Sequence, residues 1–127
     1  HFPTHIATDR QGHFLVTDSM NSRVQVFDLA GKFISAFGSN GDTSGHFGRP
    51  KGVAADTFDH IYVADALFDN LQVFDLNGQL LLNVGQSGNH AGEFGLPAGV
   101  AISADNQIYV ADGYNHRVQV LKYVGQQ

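Results

Sequence analysis

Short apolar runs alternate with turn-forming residues along the whole chain. The runs are rich in β-branched and aromatic residues, and clusters of Gly, Asn, Asp and Ser separate them. In residues 24–28, Val24 and Val26 fall on one side and Gln25 on the other, which is the alternation of a strand. No stretch has the 3.6-residue period of an amphipathic helix. The pattern therefore predicts an all-β chain.

The runs recur because the chain repeats itself every 47 residues. Prolines mark this interval at Pro3, Pro50 and Pro97. The same interval separates three carboxylates, at Asp18, Asp65 and Asp112. It divides a single partial domain, residues 1–127, into the repeats 1–47, 48–94 and 95–127, of which the last is truncated. Repeats of this length are typical of propellers and solenoids.

Each complete repeat contains four strand-like runs. The first run of each repeat is predicted at residues 6–9, 53–56 and 100–105. In the second repeat, the later runs are residues 60–65, 71–75 and 80–84. Asn77-Gly78 joins the last two runs, and a tight hairpin turn is expected there because both residue types tolerate positive φ. A β-propeller blade consists of four antiparallel strands and recurs roughly every 40–50 residues. The repeats of this chain therefore predict propeller blades.

The composition agrees with sheets that are pressed between neighbouring sheets, because only 15% of the residues are charged. The net charge of −5 disfavours nucleic acid and anionic membranes as partners. The absence of Cys excludes a disulfide scaffold, thiolate metal ligands and Cys nucleophiles. No apolar run is long enough for a transmembrane helix.

Three segments carry a resemblance to a known family. They read PKGVA at residues 50–54, IYVAD at 61–65 and NHRVQV at 115–120. This pattern resembles the NHL repeat of tripartite-motif proteins and bacterial NHL-repeat proteins, and the resemblance covers essentially the whole chain. It implies a β-propeller, usually of six blades, with strands a to d running outward from a central channel. On this mapping the chain holds two four-stranded antiparallel blades and a third blade that lacks strand d.

The carboxylates at the end of strand b, Asp18, Asp65 and Asp112, could suggest a metal site or an acid–base pair. Their equivalent positions place them on different blades, so a structural role is the better interpretation. Each carboxylate can accept backbone N–H bonds, and two can pair with an arginine at the start of strand c, Arg23 or Arg117. The second repeat has Asn70 instead, so its arrangement must differ.

His5 is a weak candidate for a metal ligand, because strand a lines the channel. The amidating lyase that shares this fold needs several histidines converging on zinc. The neighbouring positions here are Lys51, Gly52, Ala98 and Gly99, which supply no such set. We therefore expect no metal site, no cofactor and no catalytic residue in these repeats.

The b–c connections differ between repeats while the strands around them hardly change. They place five candidate binding residues on one face of the ring: Met20, Leu67, Phe68, Tyr114 and His116. Exposed apolar and aromatic groups that cluster on one rim are suited to a protein or peptide contact. The alternative is that the equivalent residues Met20, Leu67 and Tyr114 pack against the next blade. Phe68 has no apolar counterpart and is the stronger surface candidate.

Three functions remain open. The first is a non-enzymatic scaffold that binds a protein or other ligand through the b–c face. The second is a segment of a metal-dependent enzyme of the lyase or lactonase kind, to which His5 would contribute. The third is a half-ring that pairs with a second copy to form six blades, although such a dimer would lack two strands of the full set. A segment of a longer polypeptide, completed by further blades, is favoured over the dimer.

Overall fold

The computed structural model describes residues 3–41 and 44–123. These residues form three antiparallel sheets and no α-helix, and none of their helical turns is long and apolar enough to cross a membrane. Blade 1 consists of β1 Pro3–Thr8, β2 His13–Asp18, β3 Arg23–Asp28 and β4 Phe33–Phe37. Blade 2 consists of β5 Pro50–Ala55, β6 Ile61–Asp65, β7 Asn70–Phe74 and β8 Leu80–Val84. Blade 3 consists of β9 Pro97–Ile102, β10 Gln107–Asp112 and β11 Arg117–Lys122.

Within each blade, consecutive strands are neighbours in the sheet. This order confirms the predicted all-β propeller segment, with strands a to d in chain order. The innermost strands begin earlier than the apolar runs indicated, at Pro3, Pro50 and Pro97. A proline is tolerated as the first residue of a strand, where its missing N–H costs no ladder bond. The pairing shifts register directly afterwards, between Pro50 and Val53 in blade 2.

The hairpin turns of blades 1 and 2 share one device, an Asp whose carboxylate holds the turn, whereas Ser103 takes this position in blade 3. At the predicted Asn77-Gly78 turn, Asp75 Oδ1 accepts the N–H groups of Asn77 and Gln79 at 2.9 and 3.0 Å. Gly78 has φ +80°, whereas Asn77 is absent from the positive-φ residues of the described chain. The hairpin is therefore present, but only its glycine uses the left-handed region, as in loops that combine a type I turn with a left-handed residue.

Two apolar clusters fill the seams between the blades. The connection after each complete blade inserts one phenylalanine, Phe47 or Phe94, and both side chains are fully buried. Near the channel the innermost strands of blades 2 and 3 approach closely at Gly52. A Cβ at Gly52 would lie 2.3 Å from the Ala98 carbonyl oxygen, so only glycine fits there.

One face of blade 3 is exposed although it is apolar. Blade 2 buries Tyr62 and Val73 under blade 3, whereas the equivalent Tyr109 and Val120 of blade 3 are exposed. The blades present the same kind of face in both cases, because the residues are related by the repeat. What differs is whether another sheet of the described chain covers that face.

Candidate functional site

The b–c corners are three loops at residues 19–22, 66–69 and 113–116, which lie on one face of the blades. The first and third contain a single 3₁₀ turn, Ser19–Asn21 and Gly113–Asn115. Each corner ends in a residue with left-handed φ, at 54° for Ser22, 54° for Asp69 and 56° for His116. The three corners therefore share their last backbone step while carrying different side chains.

The second residue of each corner projects into solvent. Met20 is 64% exposed, Leu67 is 59% exposed and Tyr114 is 71% exposed. Met20 and Leu67 are exposed although a further blade follows each of them, so the following blade does not cover this position. His116 is also exposed, whereas Phe68 is half-buried and lies against Gly48.

Buried carboxylates hold the corners in place. In blade 1, Arg23 Nε donates to Asp18 Oδ2 at 3.1 Å. In blade 3, Arg117 Nε donates to Asp112 Oδ2 at 2.8 Å. Both carboxylates are fully buried, so each ion pair ties strand c to the end of strand b.

Asp65 of blade 2 holds its corner in place without an arginine. Its carboxylate accepts four backbone N–H groups at 2.7 to 3.4 Å, from Gly48, Arg49, Leu67 and Phe68. Asn70 replaces the arginine, and its buried Oδ1 accepts no hydrogen bond in the described part of the chain. Backbone donors thus take the place of the missing charge.

The pKa of Asp112 lies below its ordinary value. Burial of the carboxyl group opposes ionisation, but hydrogen bonds from Gly95 N–H, Asn115, Arg117 and Gln119 together outweigh that effect. Asp112 is therefore ionised and serves as a fixed anionic anchor below the corner surface.

An open groove lies beside the corners, where blades 2 and 3 meet near the channel. We call it the inner groove; its volume is about 420 Å³. It is lined by Arg49, Lys51, Ala66, Leu67, Leu96 and Ala98. Leu96 is 56% exposed and has φ +49°, a region that leucine seldom adopts. Asp69 Oδ1 holds this conformation by accepting the Leu96 N–H at 2.7 Å.

A second depression of about 430 Å³ lies at the same seam. Its lining includes Tyr114 from the corner of blade 3 and Asp69 from the corner of blade 2. Asp69 therefore borders this depression while also fixing a residue of the inner groove. The corner face therefore has a depression next to each of two exposed corner residues, Leu67 and Tyr114.

His5, the weak metal candidate, lies in strand a of blade 1. Its Nδ1 is 3.0 Å from Thr4 Oγ1, and burial together with the nearby Lys51 charge lowers its pKa. Within residues 3–41 and 44–123, no three His, Cys, Asp or Glu side chains are grouped so that they could hold a metal ion. His5 therefore belongs to no such group of three among these residues.

Comparison with models of known families identifies two segments of the chain. The NHL repeat model matches residues 1–27 and 94–121. These two segments are therefore NHL repeats. No curated protein matches it significantly by sequence.

Several solved structures share the propeller fold. Hydrazine synthase of Kuenenia stuttgartiensis is 18% identical with a TM-score of 0.65, over 93% of this chain and 34% of that one. Virginiamycin B lyase of Staphylococcus aureus is 12% identical with a TM-score of 0.67, over 98% and 42%. A protein of unknown function from Bacteroides thetaiotaomicron is 17% identical with a TM-score of 0.67, over 85% and 32%. This chain thus spans about a third to two fifths of their lengths.

Turns on the opposite face of the blades hold a polar cluster that was not predicted from the sequence. Asp56 Oδ2 accepts the Tyr62 hydroxyl at 2.9 Å and lies 2.9 Å from His60 Nδ1. Burial, followed by the bond to Asp56, raises the pKa of Tyr62. Blade 1 repeats the acid–histidine pair as Asp9 and His13. The spacing of four residues in both repeats was the available signal, and the repetition indicates a turn-holding role.

Proposed function

We propose that this chain is part of a non-enzymatic propeller scaffold that binds a protein or peptide through its b–c corner face. The supporting observation is the exposure of three equivalent side chains, Met20, Leu67 and Tyr114, on one face. Large apolar groups that stay exposed beside grooves lose water when a partner binds, which makes them suitable contact residues. The binding candidates Phe68 and His116 belong to the same face, with His116 exposed at its outer surface and Phe68 half-buried.

The rigidity of the corners supports this proposal. The corners are held by Asp18, Asp65 and Asp112, whose carboxylates are fully buried. A surface that is already ordered loses little conformational entropy on binding, so its contacts contribute more to affinity. Variable side chains on a fixed backbone are a common arrangement for recognition surfaces.

The test is a selection of a phage-displayed random dodecapeptide library on the full chain, followed by affinity measurement on the enriched peptides. Substituting Met20, Leu67 and Tyr114 by Ser should weaken binding by about tenfold or more, because anchor residues dominate binding energy. The matched control carries Leu29→Ser and Phe58→Ser, two exposed apolar positions outside the corners. Unchanged affinity in the corner variant, or equal losses in both variants, would rule out this face.

The proposed scaffold also needs a neighbour for blade 3. The exposed apolar face of blade 3, with Tyr109, Val118 and Val120, is suited to cover by another blade in the way that blade 3 covers blade 2. We propose that further blades of the same polypeptide supply this cover, and a second copy of the chain is the alternative. Light scattering on the purified source protein distinguishes them, because the first predicts a monomer of about six repeats and the second a dimer of short chains.

A further inference from the structure

The two walls of the inner groove occupy equivalent positions in neighbouring repeats but differ in chemistry. Arg49 and Lys51 lead into blade 2 and form one wall. Leu96 and Ala98 stand 47 residues later and form the other wall, and Leu67 also lines the groove. The repeat therefore places a cationic wall opposite an apolar wall across a single groove.

The side chains of the cationic wall form no ion pair among the residues that the structure describes. Arg10, Arg23 and Arg117 each form an ion pair with a carboxylate, at 3.0, 3.1 and 2.8 Å. Arg49 and Lys51 form none with the carboxylates of the described residues, although acidic residues outnumber basic ones by 12 to 7 in this chain. Within the described part of the chain, their positive charges thus remain accessible to an external anion.

Two carboxylates that bond to the backbone of groove residues already have hydrogen-bond partners. The oxygens of Asp65 accept backbone N–H groups, including that of Arg49 at 2.9 Å. Asp69 accepts the Ser87 hydroxyl at 2.7 Å through one oxygen and the Leu96 N–H at 2.7 Å through the other. Both carboxylates therefore act on the backbone and hydroxyl groups that shape the groove.

The apolar wall is held in an unfavourable conformation. Leu96 has φ +49°, whereas its equivalent Arg49 is not among the described residues with positive φ. The bond from Leu96 N–H to Asp69 maintains this conformation, and the leucine side chain remains exposed beside Leu67. Backbone strain of this kind persists where surrounding contacts enforce it, and it is concentrated at binding sites.

We propose that the inner groove binds an acidic peptide segment. A Glu or Asp carboxylate of the peptide meets Arg49 and Lys51, and an adjacent large apolar side chain lies between Leu67 and Leu96. This inference rests on the proposed function and specifies the ligand class for the same face. A volume of about 420 Å³ accommodates side chains of this size.

A peptide fits this groove better than a nucleic acid. Binding to a phosphate backbone needs a row of cations, and single strands also need aromatic surfaces on which bases stack. The groove offers two cations and a wall of leucine and alanine instead. A carboxylate next to an aliphatic group matches both walls at once.

The test measures three labelled peptides by fluorescence anisotropy on the full chain. The first is acetyl-Gly-Glu-Leu-Asp-Leu-Gly-amide, the second replaces its acids by Gln and Asn, and the third replaces its leucines by Ala. The first should bind about tenfold more tightly than either of the others, because each of them loses the partner of one wall. A labelled single-stranded RNA dodecamer should not compete.

Variants locate the binding. Arg49→Gln with Lys51→Gln should weaken the acidic peptide by about tenfold or more and leave the amide peptide unchanged. The fold should be retained, because Arg49 bonds to Asp65 and Ala66 through its backbone. Arg49→Lys in place of Arg49→Gln should restore part of the affinity. Lys32→Gln with Lys122→Gln is the matched control and should change nothing.

Several results would overturn the assignment. Equal affinity for the acidic and amide peptides, no binding of the acidic peptide, or no effect of the Arg49 and Lys51 variant would each contradict it. If the peptides selected from the random library still required Met20, Leu67 and Tyr114, the corner face would stand and only the acidic class would be wrong. Binding of the RNA dodecamer that depends on Arg49 would also contradict it.

Discussion

The seam between blades 1 and 2 and the seam between blades 2 and 3 share their framework residues but differ in how the remaining space is filled. In the first seam, the ring of Phe74 lies 4.8 Å from that of Phe37 and 5.6 Å from that of Phe47, centroid to centroid. In the second seam, Phe94 occupies the position of Phe47 and is equally buried. We call this buried phenylalanine, Phe47 or Phe94, the plug of its seam. The plug is the same in both seams, while the residues around it differ.

The changed neighbours leave space in the second seam. Val84 and Leu121 stand where the first seam has Phe37 and Phe74. An open cavity of about 130 Å³ lies in the second seam, bordered by both residues and by Tyr62. The phenylalanine position is thus the same in both seams, whereas the positions around it differ in side-chain size.

A second framework element is a glutamine in strand c that binds the preceding connection. Gln72 accepts Gly45 N–H at 2.7 Å and donates to the His46 carbonyl at 2.8 Å. Gln119 accepts Gly92 N–H at 3.0 Å and donates to the Glu93 carbonyl at 2.7 Å. Each glutamine thus holds the loop that delivers the phenylalanine plug.

The largest expected effect is loss of a plug. Phe47→Ala and Phe94→Ala should each lower the free energy of unfolding by about 3–5 kcal/mol, because each removes a fully buried ring. Urea unfolding followed by circular dichroism measures both. A loss below about 1 kcal/mol at Phe94, which is the size of an ordinary surface change, would show that the second seam does not depend on its plug.

The next effect concerns the glutamines. Gln72→Leu should cost about 1–3 kcal/mol, because Gly45 N–H and the His46 carbonyl lose their partner. The same unfolding experiment applies, with the exposed Gln79→Leu as the matched control. A Gln72 variant as stable as the Gln79 variant would contradict the structural role.

Filling the second seam should have a smaller effect of opposite sign. Val84→Phe with Leu121→Phe recreates the aromatic pair of the first seam and should raise the free energy of unfolding by about 0.5–2 kcal/mol. The reverse change in the first seam, Phe37→Val with Phe74→Leu, should destabilise. If both double variants lowered the free energy of unfolding, the cavity of the second seam would not have room for the two rings.

The smallest effect is a pH dependence at Asp112. Its depressed pKa contributes stability above the ordinary Asp pKa, and this contribution disappears as the pH falls through the folded-state value. Burial opposes the hydrogen bonds, which keeps the effect modest. The stability difference between the wild type and Asp112→Asn should therefore shrink below about pH 4. A difference that is constant from pH 7 to pH 2 would contradict this assignment.

The repeat made the blades predictable from the sequence. A 47-residue interval, β-branched runs and turn residues identify four strands, since each feature depends on neighbouring residues alone. The bounds of β8 agree with the predicted run at residues 80–84, and those of β6 and β7 agree to within one residue with the runs at 60–65 and 71–75. The early start of β1, β5 and β9 was not predictable, because it depends on pairing with strand b rather than on local preference.

The site was less predictable, because it depends on which side chains meet across a seam. Leu96 and Asp69 attract no attention in the sequence, and only the fold brings Asp69 to the Leu96 N–H. Phe68 stood out by lacking an apolar counterpart, yet its exposure depends on Gly48, which lies twenty positions earlier in the chain. Comparing equivalent positions was the usable signal, since Arg49 aligns with Leu96 and Lys51 with Ala98.

A methyl and amide NMR titration of the full chain with the acidic peptide tests the central claim most directly. The claim is that a constant framework presents a binding groove on the b–c corner face. It predicts shifts at Leu67, Leu96, Ala66 and Ala98 and at the amides of residues 49–51, with residues 9–13 and 56–60 of the opposite face unchanged. Shifts confined to the opposite face, or spread evenly over both faces, would contradict it.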